Sequence, residues 1–307
     1  LIWSKKSLEA FLEICFKQPS QMKIKLLVLF ALMISLTSWS HAQDTLRGKN
    51  IDAVFYKGKG NSKQLIVGLG GSEGGNAWAS RHWKATRDQF LAKGYSFLAI
   101  GYFNTPHSPK LLEKIALEDV YQVIEDATHL LTERDIKIAL IGGSRGADLA
   151  LLLASYYPQI NCVIAISASH VVFPGNTLHF STSSFTWQQK ELAFVPVNEA
   201  AYPFLLKRDL RGAFSAMLTD TIAENKALIR VETIKGPVLL LSGKQDEICP
   251  STIMCDKMIK RLKAHQFAFT AEHMSVEGGH AAPLQHFDKI FQFLEKEFRE
   301  TGPVKII

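Results

Sequence analysis

The chain has 307 residues, 47% of them hydrophobic and 21% charged, with a formal net charge of +6. Five lysines and two glutamates fall within residues 1–42, so half of that charge lies there, and the +3 left on residues 43–307 excludes the strong basicity of a nucleic-acid or anionic-membrane binder. The roughly 265 residues of that part suit one α/β domain with a substantial core, without repeats or low-complexity linkers.

Met22 opens a secretory pattern. Lys23 and Lys25 give a positive start, residues 26–36 are apolar apart from Ser35, and Ser40-His41-Ala42 offers a small-residue cleavage site. The apolar run is short of the about 20 residues a membrane span needs. Residues 22–42 are therefore expected to be a signal peptide cut after Ala42, leaving no stable membrane anchor and a secreted or periplasmic protein. Residues 1–21 read as an upstream extension that is not native, with a short cytosolic leader as the alternative.

From residue 43 onward, apolar β-rich runs alternate with helical periods. Strands are expected at residues 51–56, 64–69, 95–100, 136–141, 162–167, 238–242 and 267–276, and helices at 77–93, 112–132, 145–157, 251–263 and 283–299. This βαβα order predicts a mostly parallel, doubly wound sheet with helices on both faces. Residues 169–235 break the alternation. They are rich in aromatics and prolines, and read as a cap over the site, partly helical near 213–227, whose rings would line an apolar pocket or pack the cap onto the body.

The strand at 136–141 leads into Gly142-Gly143-Ser144-Arg145-Gly146 and then a helix. That is the context of a nucleophile elbow, in which small residues let the chain turn sharply and lift a serine to a helix N-terminus. A serine hydroxyl needs a base, and on such a sheet the acid and the histidine follow it in that order. Asp246 lies in the loop after the strand 238–242, with Glu247 as its competitor, and His280 lies in Glu277-Gly278-Gly279-His280 after the last strand. The predicted catalytic residues are Ser144, Asp246 and His280. The predicted oxyanion donors are the N–H of Arg145 and that of Gly71 or Ser72, in the glycine turn after residues 64–69. That turn lacks the G-K-[ST] ending of a phosphate loop. Arg145 offers a contact for an anionic substrate group, or an ordinary helix-surface arginine. The remaining histidines show no metal spacing, and neither a metal nor an organic cofactor is expected. Cys249 and Cys255 are close enough in sequence to pair, with three free cysteines (Cys162 the third) as the equal alternative.

At these residues the chain resembles the C-terminal catalytic domain of the acyl-CoA thioester hydrolase / bile acid-CoA:amino acid N-acyltransferase family, within the α/β-hydrolase superfamily. The matching text is I-G-G-S-R-G-A-D-L-A-L-L-L-A-S at 141–155, V-I-A-I-S-A-S-H-V-V-F-P-G at 163–175, L-L-L-S-G-K-Q-D at 239–246 and G-G-H-A at 278–281. The resemblance implies the α/β-hydrolase fold with Ser144 as nucleophile, Asp246 as acid and His280 as base. Animal members carry an additional N-terminal β-sandwich, and the amidating members use a cysteine nucleophile, so Ser144 favours hydrolysis. The expected activity is that of an exported serine hydrolase acting on a small-molecule acyl ester or thioester. The alternatives are acyl transfer to an amine or amino acid, and a non-catalytic secreted binding protein of the same fold. The sequence leaves the oligomeric state open.

Overall fold

The computed structural model describes residues 43–59 and 62–299. The expected extension at 1–21 and signal peptide at 22–42 lie outside the described residues. Among the described residues no helix is long and apolar enough to cross a membrane.

The elements run β1 (Gln43–Gly48), β2 (Ile51–Tyr56), β3 (Gln64–Leu69), α1 (Lys84–Ala92), β4 (Ser96–Gly101), β5 (Ile115–Ala116), α2 (Leu117–Thr128), β6 (Lys137–Gly143), α3 (Arg145–Tyr156) and β7 (Ile160–Ile166). They continue as β8 (Phe185–Trp187), β9 (Lys190–Glu191), α4 (Tyr202–Leu206), α5 (Leu210–Met217), α6 (Thr221–Lys226), β10 (Val238–Gly243), α7 (Ser251–Ala264), β11 (Ala271–Val276) and α8 (Phe287–Glu297). Eight strands form one sheet in the order β1-β2-β4-β3-β6-β7-β10-β11. The pairs β1/β2 and β2/β4 are antiparallel, and every other neighbour is parallel.

The central strands are buried on both faces, which is why they read as continuous apolar runs. Their side chains divide with a period of two. Leu65, Leu98, Leu140, Val163 and Leu240 join the core under α2, α3 and α7, whereas Ile66, Phe97, Ile141, Ile164 and Leu241 join a second core under α1 and α8. Aromatic rings dominate the second core. Trp78 packs 5.3 Å from Phe97 and 6.2 Å from Phe287, and Phe90 lies 4.7 Å from Phe291, which ties α8 to the segment after β3.

Several boundaries differ from the sequence pattern. The expected helix at 77–93 is a short 3-10 turn at Ala77–Ala79 followed by α1, because Asn76 caps the turn and a new helix starts after Trp83. The helix expected from residue 112 begins at Leu117, since Lys114 takes a positive φ of 50° and Ile115–Ala116 pairs with β8 instead. The helix expected near 213–227 is split into α5 and α6, because Asp220 accepts from the N–H groups of Ile222 and Ala223 and starts a new helix. The last strand begins at Ala271, and the closing helical stretch divides into a 3-10 turn at Ala282–Gln285 and α8.

Residues 169–235 carry a third apolar cluster, in which Val171, Phe173, Val195, Ala213 and Met217 pack with Cys249 and Met254 of the main body. This cluster lies beyond the carboxyl ends of β7 and β10, the edge at which sheets of this kind bind ligands. The described cysteines, Cys162, Cys249 and Cys255, are all buried and free.

Candidate active site

The turn after β6 is strained. Ser144 has φ 53° and ψ −124°, a conformation that costs a non-glycine residue about 1–3 kcal/mol. Surrounding bonds hold it there: the Ser144 N–H donates to Ile166 O at 2.8 Å, and the N–H of Ala147 donates to Ser144 O at 2.8 Å as α3 begins. Two glycines make the close approach possible. A Cβ on Gly142 would lie 2.1 Å from Gly146 O, and one on Gly146 would lie 2.2 Å from Gly70 O. Gly143, also in the motif, has open space where its Cβ would stand. The expectation of small residues around Ser144 therefore rests on Gly142 and Gly146.

Asp246 sits in the turn that leaves β10 and is completely buried. Its Oδ1 accepts from the N–H groups of Ile248 and Cys249, at 2.9 and 3.0 Å, and its Oδ2 accepts from Ser251 Oγ at 2.5 Å. The same carboxylate meets His280 Nδ1 at 2.8 Å through Oδ2 and 3.0 Å through Oδ1. Burial works to raise the Asp246 pKa, but the hydrogen bonds from His280, Ser251 and the Cys249 N–H outweigh it and hold the carboxyl below its ordinary value. Asp246 thus closes its own turn, through the N–H groups of Ile248 and Cys249, and also partners His280.

His280 is fixed by its backbone as well as its ring. Its N–H donates to Glu247 Oε2 at 2.9 Å, and its carbonyl accepts from Ser167 Oγ at 2.8 Å. Glu247, the competing acid in sequence, therefore holds the main chain of His280 while Asp246 holds the imidazole. With Nδ1 engaged, Nε2 is the ring nitrogen left for chemistry. Ser144 and His280 line the same two cavities, and no hydrogen bond joins them among the described residues.

The larger cavity has a volume of about 470 Å3 and lies under residues 169–235, with Phe173, Phe180, Phe214 and Met217 in its walls. The smaller, about 150 Å3, is bounded by the turn after β3 and by Trp78, Trp83 and Leu284. Glu73, Ser144, Ser167 and His280 belong to both.

The turn after β3 abuts the serine, since a Cβ on Gly71 would stand 3.2 Å from Ser144 Cβ. Its predicted donor is not free: the Gly71 N–H donates to Glu73 Oε1 at 3.0 Å. Ser72 lines the larger cavity, and its N–H, like that of Arg145, makes no hydrogen bond among the described residues. Glu73 was not singled out by sequence, because a carboxylate in a glycine turn carries no periodic signal.

The Arg145 side chain is not on a helix surface but nine-tenths buried. Its Nη2 donates to Pro174 O at 2.6 Å, and its guanidinium stands 5.6 Å from the centre of the Phe173 ring. Asp148, one helical turn on, forms an ion pair with it at 3.5 Å and accepts from the Ser169 N–H at 2.7 Å. Burial pushes the Asp148 carboxyl up to about 7, against the opposing pull of Arg145 and the Ser169 N–H. The sequence signal for this pair is a lone carboxylate at i+4 from Ser144 in an otherwise apolar helix.

Asp246, Cys249 and His280 also place donor atoms within 4.8 Å of one another, a spacing open to a metal ion. The residues do not fit one well. Asp246 and His280 are already spent on each other, and burial, followed by the charge of Asp246, pushes the Cys249 thiol well up, away from the thiolate a metal requires.

Residues 124–287 match the family described as BAAT / Acyl-CoA thioester hydrolase C terminal. Among curated proteins the chain is similar to mouse acyl-coenzyme A amino acid N-acyltransferase 1, 25% identical over 175 residues that make up 56% of this chain and 38% of the relative. It is likewise similar to mouse mitochondrial acyl-coenzyme A thioesterase 2, 27% identical over 56% of this chain and 36% of the relative. The chain thus spans well under half the length of these relatives. Among solved structures, the Pyrococcus horikoshii acylaminoacyl peptidase superposes with a TM-score of 0.62 at 14% identity, over 89% of this chain and 44% of that one. A Pyrococcus furiosus esterase superposes with a TM-score of 0.56 at 15% identity, over 85% of this chain and 93% of that one. These likenesses give the α/β-hydrolase fold, and the match over more than half of its residues places the chain in the BAAT / acyl-CoA thioester hydrolase C-terminal family.

Proposed function

We propose that the protein is an exported serine hydrolase that cleaves a small-molecule acyl ester or thioester through an acyl-enzyme. The observation that carries this reading is the contact of Asp246 with His280 Nδ1, beside a serine held at positive φ on the same cavities. His280 Nε2 takes the proton of Ser144 Oγ as the oxygen attacks the carbonyl, and returns it to the leaving group. Asp246 keeps the imidazole in the tautomer with Nδ1–H and stabilises its charged form. The oxyanion that develops is met by the N–H of Arg145, at the start of α3, and by a donor of the turn after β3. Water then attacks the acyl-enzyme by the same proton route in reverse, and the acid leaves. Export is supported by the pattern of residues 22–42.

The test is turnover of p-nitrophenyl esters and acyl thioesters of graded chain length by protein starting at Gln43. Ser144→Ala and His280→Ala should each lose about 10^3-fold or more in kcat and lose labelling by a fluorophosphonate. Full activity in Ser144→Ala would end this reading, and a folded protein that neither turns over esters nor takes the label would support a binding role instead.

A further inference from the structure

Arg145 lines the larger cavity, and among the residues that do so it is the one permanent cation. Its guanidinium is anchored through Nη2 to Pro174 O and faces the Phe173 ring, yet its buried Nη1 makes no hydrogen bond. The ion pair of Nη1 with Asp148 Oδ2, at 3.5 Å, is too long to satisfy that donor. A buried donor left without an acceptor is rare in a folded protein, and here it belongs to a side chain that lines the cavity holding Ser144, together with the carboxyl side chains of Glu73 and Asp148. The acceptor that fits is an anionic oxygen brought by the substrate.

We propose that the Arg145 guanidinium, turning Nη1 toward the larger cavity, receives a carboxylate of the substrate limb that enters it, so that the preferred substrates are carboxylate-bearing esters or thioesters. The inference rests on the hydrolase reading of Ser144. Asp148 sets its conditions. When ionised it competes for Arg145, and when protonated it leaves the guanidinium uncompensated. With its carboxyl pushed up to about 7 by burial, the preference for an anionic substrate should be stronger at pH 6 than at pH 8. The other titratable groups facing this patch are Glu73 after β3, Tyr102 after β4, Cys249 and Asp246 after β10, Cys255 on α7 and His280 after β11. Those that act on every substrate alike, His280 above all, cancel in a ratio of two substrates.

The experiment compares kcat/KM within two pairs: mono-p-nitrophenyl glutarate against p-nitrophenyl pentanoate, and 4-carboxyphenyl pentanoate against phenyl pentanoate. The first pair places the carboxylate on the acyl limb, the second on the leaving group. In one pair the anionic-to-neutral ratio should fall about tenfold or more in Arg145→Gln, with part retained in Arg145→Lys. Asp148→Asn, which keeps the acceptor for the Ser169 N–H, should raise that ratio at pH 8 and abolish its pH dependence. A scaffolding role for Arg145 would depress both members of each pair together and leave the ratios unchanged, which would overturn the inference. A binding arm separates this failure from that of the hydrolase reading: calorimetric titration of Ser144→Ala with monomethyl glutarate and with dimethyl glutarate. Tighter binding of the monoanion, lost in Ser144→Ala/Arg145→Gln, supports the inference even if no ester is turned over. Equal binding of the two overturns it.

Discussion

The carboxylate of Glu73 accepts the backbone N–H of Gly71 at 3.0 Å, beside Ser144, so a donor expected to meet the oxyanion is already occupied by an anion of the protein itself. An oxyanion drawing on Gly71 must displace that carboxylate. A charged acceptor holds an N–H by about 1 kcal/mol more than a neutral one. Glu73→Gln should therefore raise kcat/KM for neutral esters, by about fivefold, in steady-state kinetics. A fall of similar size would assign Glu73 a supporting part in the turn.

The glycines of the elbow are not equivalent. Gly142→Ala and Gly146→Ala drive a methyl into backbone at 2.1 and 2.2 Å and should cost at least about 2 kcal/mol. Gly143→Ala meets open space and should stay within about 0.5 kcal/mol of the parent. Denaturant unfolding of the three variants measures the contrast.

Two neighbouring acids hold His280 in different ways, and their removal should differ accordingly. Asp246→Asn loses the partner of Nδ1 and should lower kcat by about 10^4-fold. Glu247→Gln keeps an acceptor for the His280 N–H and should cost less than about tenfold. The kcat values of the two variants, with circular dichroism to show folding, test the division of labour.

Away from the site, Glu232 takes a paired contact from Arg261, with Nε and Nη2 both at 2.6 Å from its oxygens. Burial works to raise the Glu232 pKa, but the Arg261 bonds dominate and bring it to about 2, against an ordinary 4.5. A depressed folded-state value means stabilisation that is complete above the unfolded pKa and lost as pH falls toward 2. Glu232→Gln should destabilise the protein at pH 7 by about 1–2 kcal/mol, a deficit that shrinks as pH drops below 4.5. Thermal melts of variant and parent at pH 7 and in the acid range measure it.

The sheet was largely legible because its central strands are covered on both faces and so announce themselves as apolar runs between helical periods. β1 was not. Its six residues Gln-Asp-Thr-Leu-Arg-Gly pair with β2, and their side chains are mostly exposed, with Leu46 alone packing on the core, so no pattern marks them. Within the site, Ser144, Asp246 and His280 stood out because each follows a strand at a turn. Arg145 stood out for its backbone N–H, but the place of its side chain and the partnership with Asp148 did not, since helical spacing puts the two one turn apart whether they face solvent or a cavity. What decides their burial is the covering chain at Phe173 and Pro174, which reaches them from beyond β7. The hydrogen bond between Glu73 and Gly71 was equally hidden, because it depends on the path of a loop rather than on residue order.

The two cavities that share Ser144 and His280 differ about threefold in volume, about 470 against 150 Å3. A space of 150 Å3 is enough for one benzene-sized group. The serine thus stands at a doorway between a hall and a closet: whichever limb of a substrate turns toward Trp78 and Trp83 has room for a single ring, while its other limb is left far freer in length and shape.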